Sequence, residues 1–283
     1  MNYRHGFHAG NFADLAKHAV LLSFLRVLRT ADKPLRVIDT HAGAGLYDLS
    51  DPHFARSKEA EAGIKFLMEQ ETPESLKALA DYVRAKNAAA GFKSRIGLYP
   101  GSPVMVVDHL GSEGDYVGCE LREDDFARLK EAIGRRGDVD QADGYKTALK
   151  RSITPKNLLW LIDPPFERGD DYDRICVTLA EGLKLRPDMM ALVWLPLKDL
   201  ETYDRFLRHL ECELFEDLSE HGPEVEAAQI RLRPLVNPLK MNGCALVTVN
   251  APKAVSEALS AVARDVAALF GDAGAKAVIQ PID

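Results

Sequence analysis

Four consecutive residues, Asp163, Pro164, Pro165 and Phe166, place a carboxylate, two rigid backbone units and an aromatic ring directly after an apolar run. An exocyclic aryl amine is a poor nucleophile because its lone pair is delocalised into the ring. The Asp163 carboxylate and the Pro164 carbonyl could each accept one N–H of such an amine, while Phe166 stacks on its ring. One proline is enough to end a strand, so the acid and the ring favour a pocket that positions a planar amine.

A second candidate site follows the apolar segment 35–39, in the sequence DTHAGAG. The acid at the strand end is followed by His41 and by two glycines, Gly43 and Gly45, which let the backbone turn tightly beneath a ligand. The spacing is not GxGxxG and no GK[ST] follows, so a dinucleotide site or a P-loop is poorly supported. The loop suits a nucleoside ligand without phosphates; a plain glycine turn between strand and helix is the alternative.

Two further acids end later predicted strands. Glu120 ends the run DYVGCE and could accept both ribose hydroxyls of a nucleoside. Asp143 could accept an amine hydrogen from an adenine ring, with Gly144 leaving room for the ring. Helix capping is the alternative role for both acids. Glu120 lies about 75 residues after the glycine loop instead of the usual ~20, and a helical segment accounts for the excess.

The hydrophobic pattern supplies a scaffold that brings these strand ends together. Apolar strands alternate with amphipathic helices, which indicates a parallel sheet covered on both faces. The predicted strands are residues 35–39, 115–120, 138–143, 157–163 and 189–197, and the predicted helices include residues 12–29, 103–110, 122–134, 144–152, 172–186, 200–211 and 255–270. Residues 228–235 and 243–252 are predicted to form a final antiparallel pair.

The stretch that follows the glycine loop differs in composition from its surroundings. Residues 51–95 are rich in Ala, Glu and Lys with helical periodicity. They predict a helical subdomain inserted into a domain formed by residues 1–50 and 96–283. Immediately afterwards, Ser102 is predicted to cap a helix whose first residue is Pro103.

Composition narrows the class of protein. The chain has 283 residues, 46% of them hydrophobic, which is enough for a full core. No apolar run approaches the ~20 residues of a membrane helix, and the start of the chain lacks a signal peptide, so a cytoplasmic protein is expected. Four scattered cysteines predict buried free thiols, and no metal-ligand spacing is present, so no metal is expected. The net charge of −7 argues weakly against nucleic acid, although local basic clusters exist.

Together these elements resemble a class I S-adenosylmethionine-dependent methyltransferase with a D/N-P-P-aromatic motif. The start of the chain is similar to one family within that class, the RlmJ-type 23S ribosomal RNA adenine-N6 methyltransferases. The stretches that carry the similarity are YRH at 3–5, FHAGN at 7–11, AD at 13–14, KH at 17–18, DTHAGAG at 39–45, YPGSP at 99–103, DG at 143–144 and DPP at 163–165. They occur in the family's order along nearly the whole chain.

The resemblance implies a Rossmann-like α/β fold with a mostly parallel sheet, a C-terminal antiparallel strand and an inserted helical subdomain. It also implies methylation of one adenine N6 in naked or partly assembled 23S ribosomal RNA. The expected catalytic residues are Asp163, Pro164 and Phe166, the last standing where many relatives carry tyrosine. The expected S-adenosylmethionine contacts are Lys17, His18, His41, Gly43, Gly45, Ser102, Glu120, Asp143, Gly144 and Asp163. Tyr3, Arg4 and His5, in an N-terminal motif of residues 1–18, would contact the RNA.

Several alternatives stay open from the sequence. The DPPF motif also fits ribosomal RNA guanine-N2 methyltransferases, and DNA adenine-N6 methyltransferases use similar motifs. Protein glutamine methyltransferases prefer Asn at the first position, so Asp163 disfavours them. A non-catalytic RNA-binding protein that retains a cofactor fold is the alternative from another class. A monomer is expected, and the acidic segment 167–173 is interpreted as a solvent-facing loop beside the RNA.

Overall fold

The computed structural model describes residues 8–30, 33–51, 58–93, 95–111, 114–215, 222–235 and 242–283. The elements in chain order are α1 (Phe12–Leu28), β1 (Leu35–Asp39), β2 (Leu46–Asp48), a π-helix (Glu61–Lys65), α2 (Phe66–Glu69), α3 (Glu74–Ala89), β3 (Leu98–Pro100), α4 (Ser102–His109), β4 (Asp115–Cys119), α5 (Glu123–Ile133), β5 (Asp138–Asp140), α6 (Gly144–Arg151), β6 (Asn157–Ile162), α7 (Asp171–Leu185), β7 (Met190–Pro196), α8 (Leu200–Phe215), β8 (Val225–Arg231), β9 (Gly243–Val249), α9 (Lys253–Phe270) and β10 (Lys276–Ile282). The predicted RNA contacts Tyr3, Arg4 and His5 lie outside the described residues.

The strands form one eight-stranded sheet in the order β10-β8-β9-β7-β6-β1-β4-β5. The five strands from β7 to β5 are parallel, and β9 runs antiparallel to both of its neighbours, β7 and β8. This confirms the predicted Rossmann-like α/β fold. The chain moves outward from β1 in one direction through β4 and in the other through β6, so a crevice opens at the carboxyl ends of these central strands.

Two features of the sheet were not predicted. The last strand, β10, pairs antiparallel with β8 and adds a second antiparallel edge to the sheet. Residues 46–48, for which no strand is predicted, form a two-stranded sheet with residues 98–100. This small sheet joins the two ends of the helical segment to each other.

Helices cover both faces of the sheet because the strands are apolar on both sides. On one face, α1, α3, α4 and α9 pack against β1, β8 and β9, with Phe24 fully buried among them. On the other face, α7 and α8 pack around Trp160 of β6. Four residues of α3, Leu76, Leu79, Ala80 and Val83, recur at helical spacing and are buried in the same core as α1. The division of the chain into a main domain and residues 51–95 stays a prediction.

Three local predictions need correction. Ser102 is the first residue of α4 and Gly101 occupies the N-cap position, because the Ser102 hydroxyl is directed to another partner described below. The final part of the acidic segment, from Asp171 onward, is the first turn of α7, and Asp171 is buried. Cys212 is exposed, whereas the other three cysteines are buried free thiols as predicted. Among the described helices, none is long and apolar enough to cross a membrane.

Candidate active site

The acid that ends β1, Asp39, is almost completely buried at the centre of the carboxyl edge of the sheet. Its Oδ2 accepts hydrogen bonds from the Ser102 hydroxyl at 2.7 Å and the Tyr116 hydroxyl at 3.4 Å. Burial raises the pKa of Asp39 to about 6, although the hydrogen bond from Ser102 acts in the opposite direction. Ser102 therefore contributes to the site by holding Asp39.

The glycine loop turns through a left-handed backbone conformation at both predicted positions, with φ of 62° at Gly43 and 77° at Gly45. The Gly43 amide donates to Glu120 Oε2 at 3.1 Å, and Glu120 Oε1 accepts from the Arg122 amide at 2.8 Å. Glu120 itself is buried at the end of β4. The carboxylate thus joins the glycine loop to the neighbouring strand end, and each oxygen has a further lone pair for a ligand hydroxyl.

Helix α6 begins directly against the β1 loop. Asp143 is its N-cap, and Asp143 Oδ1 accepts from the Lys146 amide at 3.2 Å. Burial acts to raise the pKa of Asp143, but the 2.6 Å bond from Arg174 Nη2 outweighs it and lowers that pKa. A Cβ at Gly144 would lie 1.9 Å from the Thr40 carbonyl oxygen. Glycine is required here for backbone packing, a reason distinct from the predicted room for a ring.

A cavity of about 130 Å³ lies where these strand ends meet. Its lining comes from the β1 loop, the end of β4, the start of α6, the proline motif and α7. The residues are Thr40, His41, Cys119, Glu120, Leu121, Arg122, Ala142, Asp143, Gly144, Tyr145, Pro165, Glu167, Arg168, Asp171 and Arg174. The Tyr145 hydroxyl is buried without a hydrogen-bond partner in the described part of the chain. Carboxylates, an orphaned hydroxyl and a glycine-lined backbone fit a nucleoside with hydroxyl and amine donors.

The acid of the proline motif, Asp163, follows β6, which pairs directly with β1. Its carboxylate accepts a hydrogen bond from the Lys17 ammonium, which also lies 3.0 Å from Asp14 Oδ1. Burial acts to lower the pKa of Lys17, but the two carboxylates outweigh it and raise the pKa well above its usual value. Lys17 is therefore a permanent cation between two acids.

His18, the neighbour of Lys17 on α1, is 1% exposed. Its Nδ1 lies 2.7 Å from the Tyr99 hydroxyl, and the two rings stack with centroids 5.6 Å apart. Its Nε2 is buried and has no hydrogen-bond partner in the described ranges. Burial lowers the pKa of His18 to about 3, so the ring is neutral near pH 7.

The ring of the proline motif, Phe166, sits on a strained backbone with φ of 50°, an unusual value for a residue with a large side chain. Its ring packs against Tyr172 at 4.8 Å and Trp194 at 5.8 Å, measured between ring centroids. Pro164 is buried and Pro165 is half-buried. The motif thus presents a fixed aromatic wall beside Asp163, held by two other aromatic side chains.

Comparison with known proteins decides the family. The family described as Ribosomal RNA large subunit methyltransferase D, RlmJ, has a sequence model that matches residues 32–279. The chain belongs to the RlmJ family. A curated member, Ribosomal RNA large subunit methyltransferase J of Escherichia coli (strain K12), is 34% identical over 217 residues, which cover 75% of this chain and 76% of the relative.

Two further proteins extend the similarity along the chain. Ribosomal RNA large subunit methyltransferase J of Haemophilus influenzae is 29% identical over 257 residues, covering 89% of this chain and 88% of the relative. The crystal structure of protein LPL1258 from Legionella pneumophila superposes with a TM-score of 0.83 at 26% identity, covering 96% of this chain and 98% of that one. The family resemblance inferred from the sequence motifs is confirmed.

The structure groups the predicted RlmJ-type residues into two neighbouring sets. His41, Glu120, Asp143 and Gly144 line the cavity, whereas the second set lies on the α1 side of the same edge. That second set is Lys17, His18, Ser102 and Asp163, with Asp39 between the two. Gly43 belongs with the first set through its bond to Glu120. Their cofactor and catalytic roles stay predictions.

Some residues of this edge have no role predicted from the sequence. Asp14 is the second partner of Lys17, and its position three residues earlier on a predicted helix was an available signal. Arg174, which pairs with Asp143, lies 31 residues away and had no local signal. Glu59 holds the start of the described chain by accepting from Asn11 Nδ2 at 2.8 Å and pairing with His8 Nδ1 at 2.9 Å. Among the described residues, no group of His, Cys, Asp or Glu could hold a metal ion.

Proposed function

We propose that this protein transfers a methyl group from S-adenosylmethionine to N6 of an adenine in 23S ribosomal RNA. The observation that carries the proposal is the adjacency of two sites on one sheet edge. Asp163 with its proline and aromatic neighbours follows β6, and the acid-lined cavity lies at the ends of β1, β4 and β5. A donor in the cavity and an amine beside Asp163 would therefore meet at the strand crevice.

The residues that would hold the methyl donor are those whose side chains can accept further hydrogen bonds. When bound, S-adenosylmethionine supplies a methyl group on a sulfonium, which is electrophilic without a metal. Glu120 would accept from the ribose hydroxyls, and Asp143 would accept from the adenine amine. Gly144 lets α6 approach β1 closely enough to close the cavity. The buried, neutral Nε2 of His18 is an orphaned polar atom that would accept or donate one bond to the amino-acid part.

The target amine would be held by the proline motif. Asp163 and the Pro164 carbonyl would each accept one N6 hydrogen, which leaves the nitrogen lone pair directed to the electrophile. Phe166 would stack on the adenine, and its packing on Tyr172 and Trp194 fixes that surface. A base in a folded RNA reaches such a pocket by leaving its stack, at a cost of a few kcal/mol. Base flipping is therefore part of the proposal.

Lys17 has a defined part in this scheme. Its positive charge stabilises the Asp163 carboxylate, which can accept an amine hydrogen. Methylation makes the amine nitrogen acidic, so proton loss follows transfer and Asp163 need not be a strong base beforehand. The positive charge of Lys17 also balances the two acids, Asp14 and Asp163, in a buried position.

The test is labelled methyl transfer to three nucleic acids, namely protein-free 23S RNA, 16S RNA and DNA, followed by nucleoside analysis. N6-methyladenosine formed in 23S RNA alone supports the proposal. Formation of N2-methylguanosine would favour a ribosomal RNA guanine-N2 methyltransferase, and methylation of the DNA would favour a DNA adenine-N6 methyltransferase. We also propose that the protein acts as a monomer in the cytoplasm on naked or partly assembled RNA. Comparison of protein-free 23S RNA with intact large subunits tests the last point.

A further inference from the structure

Two cations face each other at the C-terminal edge of the sheet. Arg231, the last residue of β8, is the direct cross-strand partner of Lys276, the first residue of β10. In an antiparallel pair, directly opposite residues project from the same face, and like charges in that position destabilise the pair. The same face of these strands carries Val225 and Ile282, which pack with α8, so the position of both cations is fixed by the register.

The guanidinium groups at this edge are also poorly satisfied. Arg231 Nε and Arg233 Nε are buried and have no hydrogen-bond partner in the described ranges of the chain. Arg231 makes one weak bond, from Nη2 to Gln229 Oε1 at 3.3 Å. Asp272 precedes β10 in the chain, and its amide donates to the Leu232 carbonyl at 2.7 Å, which brings this acid close to the same edge. Within the described residues, no carboxylate forms an ion pair with these arginines or with Lys276.

A buried Nε–H without an acceptor is costly, and both arginines carry one, so this arrangement points to an anion that completes it. A phosphate matches the donors, because the arginine fork bonds two of its oxygens while a lysine ammonium contributes a point charge. One anion between Arg231 and Lys276 would also remove their repulsion. Among the described residues, Arg26 on α1 provides a contrasting case, because it is exposed to water and has no such requirement.

The position relative to Asp163 indicates which phosphate this is. β8 runs in the same direction as β6, and Arg231 therefore lies at the carboxyl edge of the sheet with Asp163. Three strand spacings separate β8 from β6, which is about 15 Å. The pairings Ile230 with Cys244 and Pro196 with Cys244 place Arg231 beyond the end of β7. A strand that delivers its base beside Asp163 can therefore reach these cations within a few nucleotides.

We propose that Arg231, Arg233 and Lys276 bind a backbone phosphate of the RNA strand that flanks the methylated base. This inference rests on the proposed function, since it takes RNA as the substrate. The three residues would set the path of the RNA across β7, β9 and β8 without reading its sequence. They would contribute to RNA affinity and leave the chemical step and the binding of S-adenosylmethionine unaffected.

The experiment compares wild type with two variants, the double variant Arg231→Gln/Arg233→Gln and the single variant Lys276→Gln. It uses the full chain and a 23S RNA fragment that wild type methylates. Affinity for RNA is measured between about 50 and 200 mM salt. We expect the double variant to weaken RNA binding about tenfold or more. The slope of log affinity against log salt should become shallower by about 0.7 for each single-strand phosphate that the variant no longer neutralises. Arg26→Gln, at an exposed position on α1, should behave as wild type.

Three outcomes would overturn the proposal. One is an unchanged affinity and salt slope in folded Arg231→Gln/Arg233→Gln and Lys276→Gln. Another is a fall in kcat at saturating RNA or in S-adenosylmethionine affinity of the same size as the loss of RNA binding. The third is loss of inorganic phosphate binding with RNA binding intact, which would assign the site to a free anion. Melting curves identify variants that do not fold, and Lys276→Gln, an exposed position, keeps the test decisive if the double variant is one of them.

The proposed function fails separately. A wild-type protein that binds RNA with normal salt dependence but forms no N6-methyladenosine in it would contradict methylation. The effect of the arginine and lysine variants on that binding would still decide the phosphate site.

Discussion

The ammonium of Lys17 in the first helix donates to the carboxylate of Asp163, 146 residues later in the chain. This pairing joins the N-terminal motif to the proline motif and places a cation beside the acid proposed to hold the amine. Both side chains are 13% exposed, so the pair has little access to screening by water.

Replacing Lys17 with Met should destabilise the fold by about 3 kcal/mol, because two nearly buried carboxylates lose their common partner. Burial acts to raise the pKa of Asp14, but Lys17 outweighs it and lowers the pKa to about 2. A lowered acid pKa contributes stability above the unfolded value, 3.8, and that stability is lost as pH falls through about 2. The difference between Lys17→Met and wild type should therefore shrink on acidification.

Urea unfolding at several pH values measures this difference. Lys65→Met is the matched control, since Lys65 forms a solvent-exposed pair with Glu61 and its loss should cost less than about 1 kcal/mol. Equal destabilisation by the two substitutions would show that the Lys17 pair has no special weight.

His18 should make the protein less stable as pH falls below neutrality. Its folded pKa of about 3 lies below the unfolded value of 6.5, so its contribution is fully present above 6.5 and is lost toward 3. In this window wild type should lose up to about 1.4 kcal/mol per pH unit relative to His18→Gln, which cannot bind the proton. Parallel pH profiles of unfolding free energy for the two proteins would refute the assignment.

Gly144→Ala should both destabilise the protein and weaken cofactor binding. The added Cβ would overlap the Thr40 carbonyl oxygen, so α6 must move away from the β1 loop, at a cost of about 1–3 kcal/mol. Gly111→Ala is the control, because a Cβ there meets no atom within 4 Å. Calorimetric titration with S-adenosylmethionine and melting curves test this; wild-type values for Gly144→Ala would contradict the packing argument.

The ring of Phe166 should matter for turnover more than for stability. Phe166→Gly relieves the φ of 50° but removes the stacking surface, which is worth about 1–3 kcal/mol per base. We expect kcat/KM for RNA to fall roughly 10- to 100-fold with a small change in melting temperature. Phe166→Tyr keeps the ring and should stay close to wild type. Full activity of Phe166→Gly would show that the Phe166 ring does not contribute to binding or turnover of the RNA.

Much of the sheet could be predicted because its central strands are continuous apolar runs that stop at acids. β10 was missed because its residues are only partly buried and include Pro281, so no clear alternation marks it. β2 and β3 have three residues each, too few to carry a periodic signal. Ser102 next to Pro103 has the pattern of a helix cap, but its hydroxyl satisfies Asp39, a partner that only the tertiary fold provides.

The positions of the acids that follow the strands could be predicted from the sequence, but the ion pairs that these acids form could not. Glu120, Asp143 and Asp163 each follow a strand, and parallel strands bring such residues to one edge. Nothing local indicates that Arg174 pairs with Asp143 or that Lys17 pairs with Asp163, because each pair joins distant segments. The same holds for Arg231 and Lys276, whose opposition depends on the register of a strand that the sequence did not show.

Nucleoside analysis of protein-free 23S RNA, after incubation with S-adenosylmethionine and either wild type or Asp163→Ala, tests both the adenine assignment and the role of Asp163. We expect N6-methyladenosine at one site with wild type and none with Asp163→Ala, while that variant keeps a cooperative melting transition. Near-normal N6-methyladenosine formation by Asp163→Ala would contradict the role of Asp163. A different methylated nucleoside with wild type would contradict the adenine assignment.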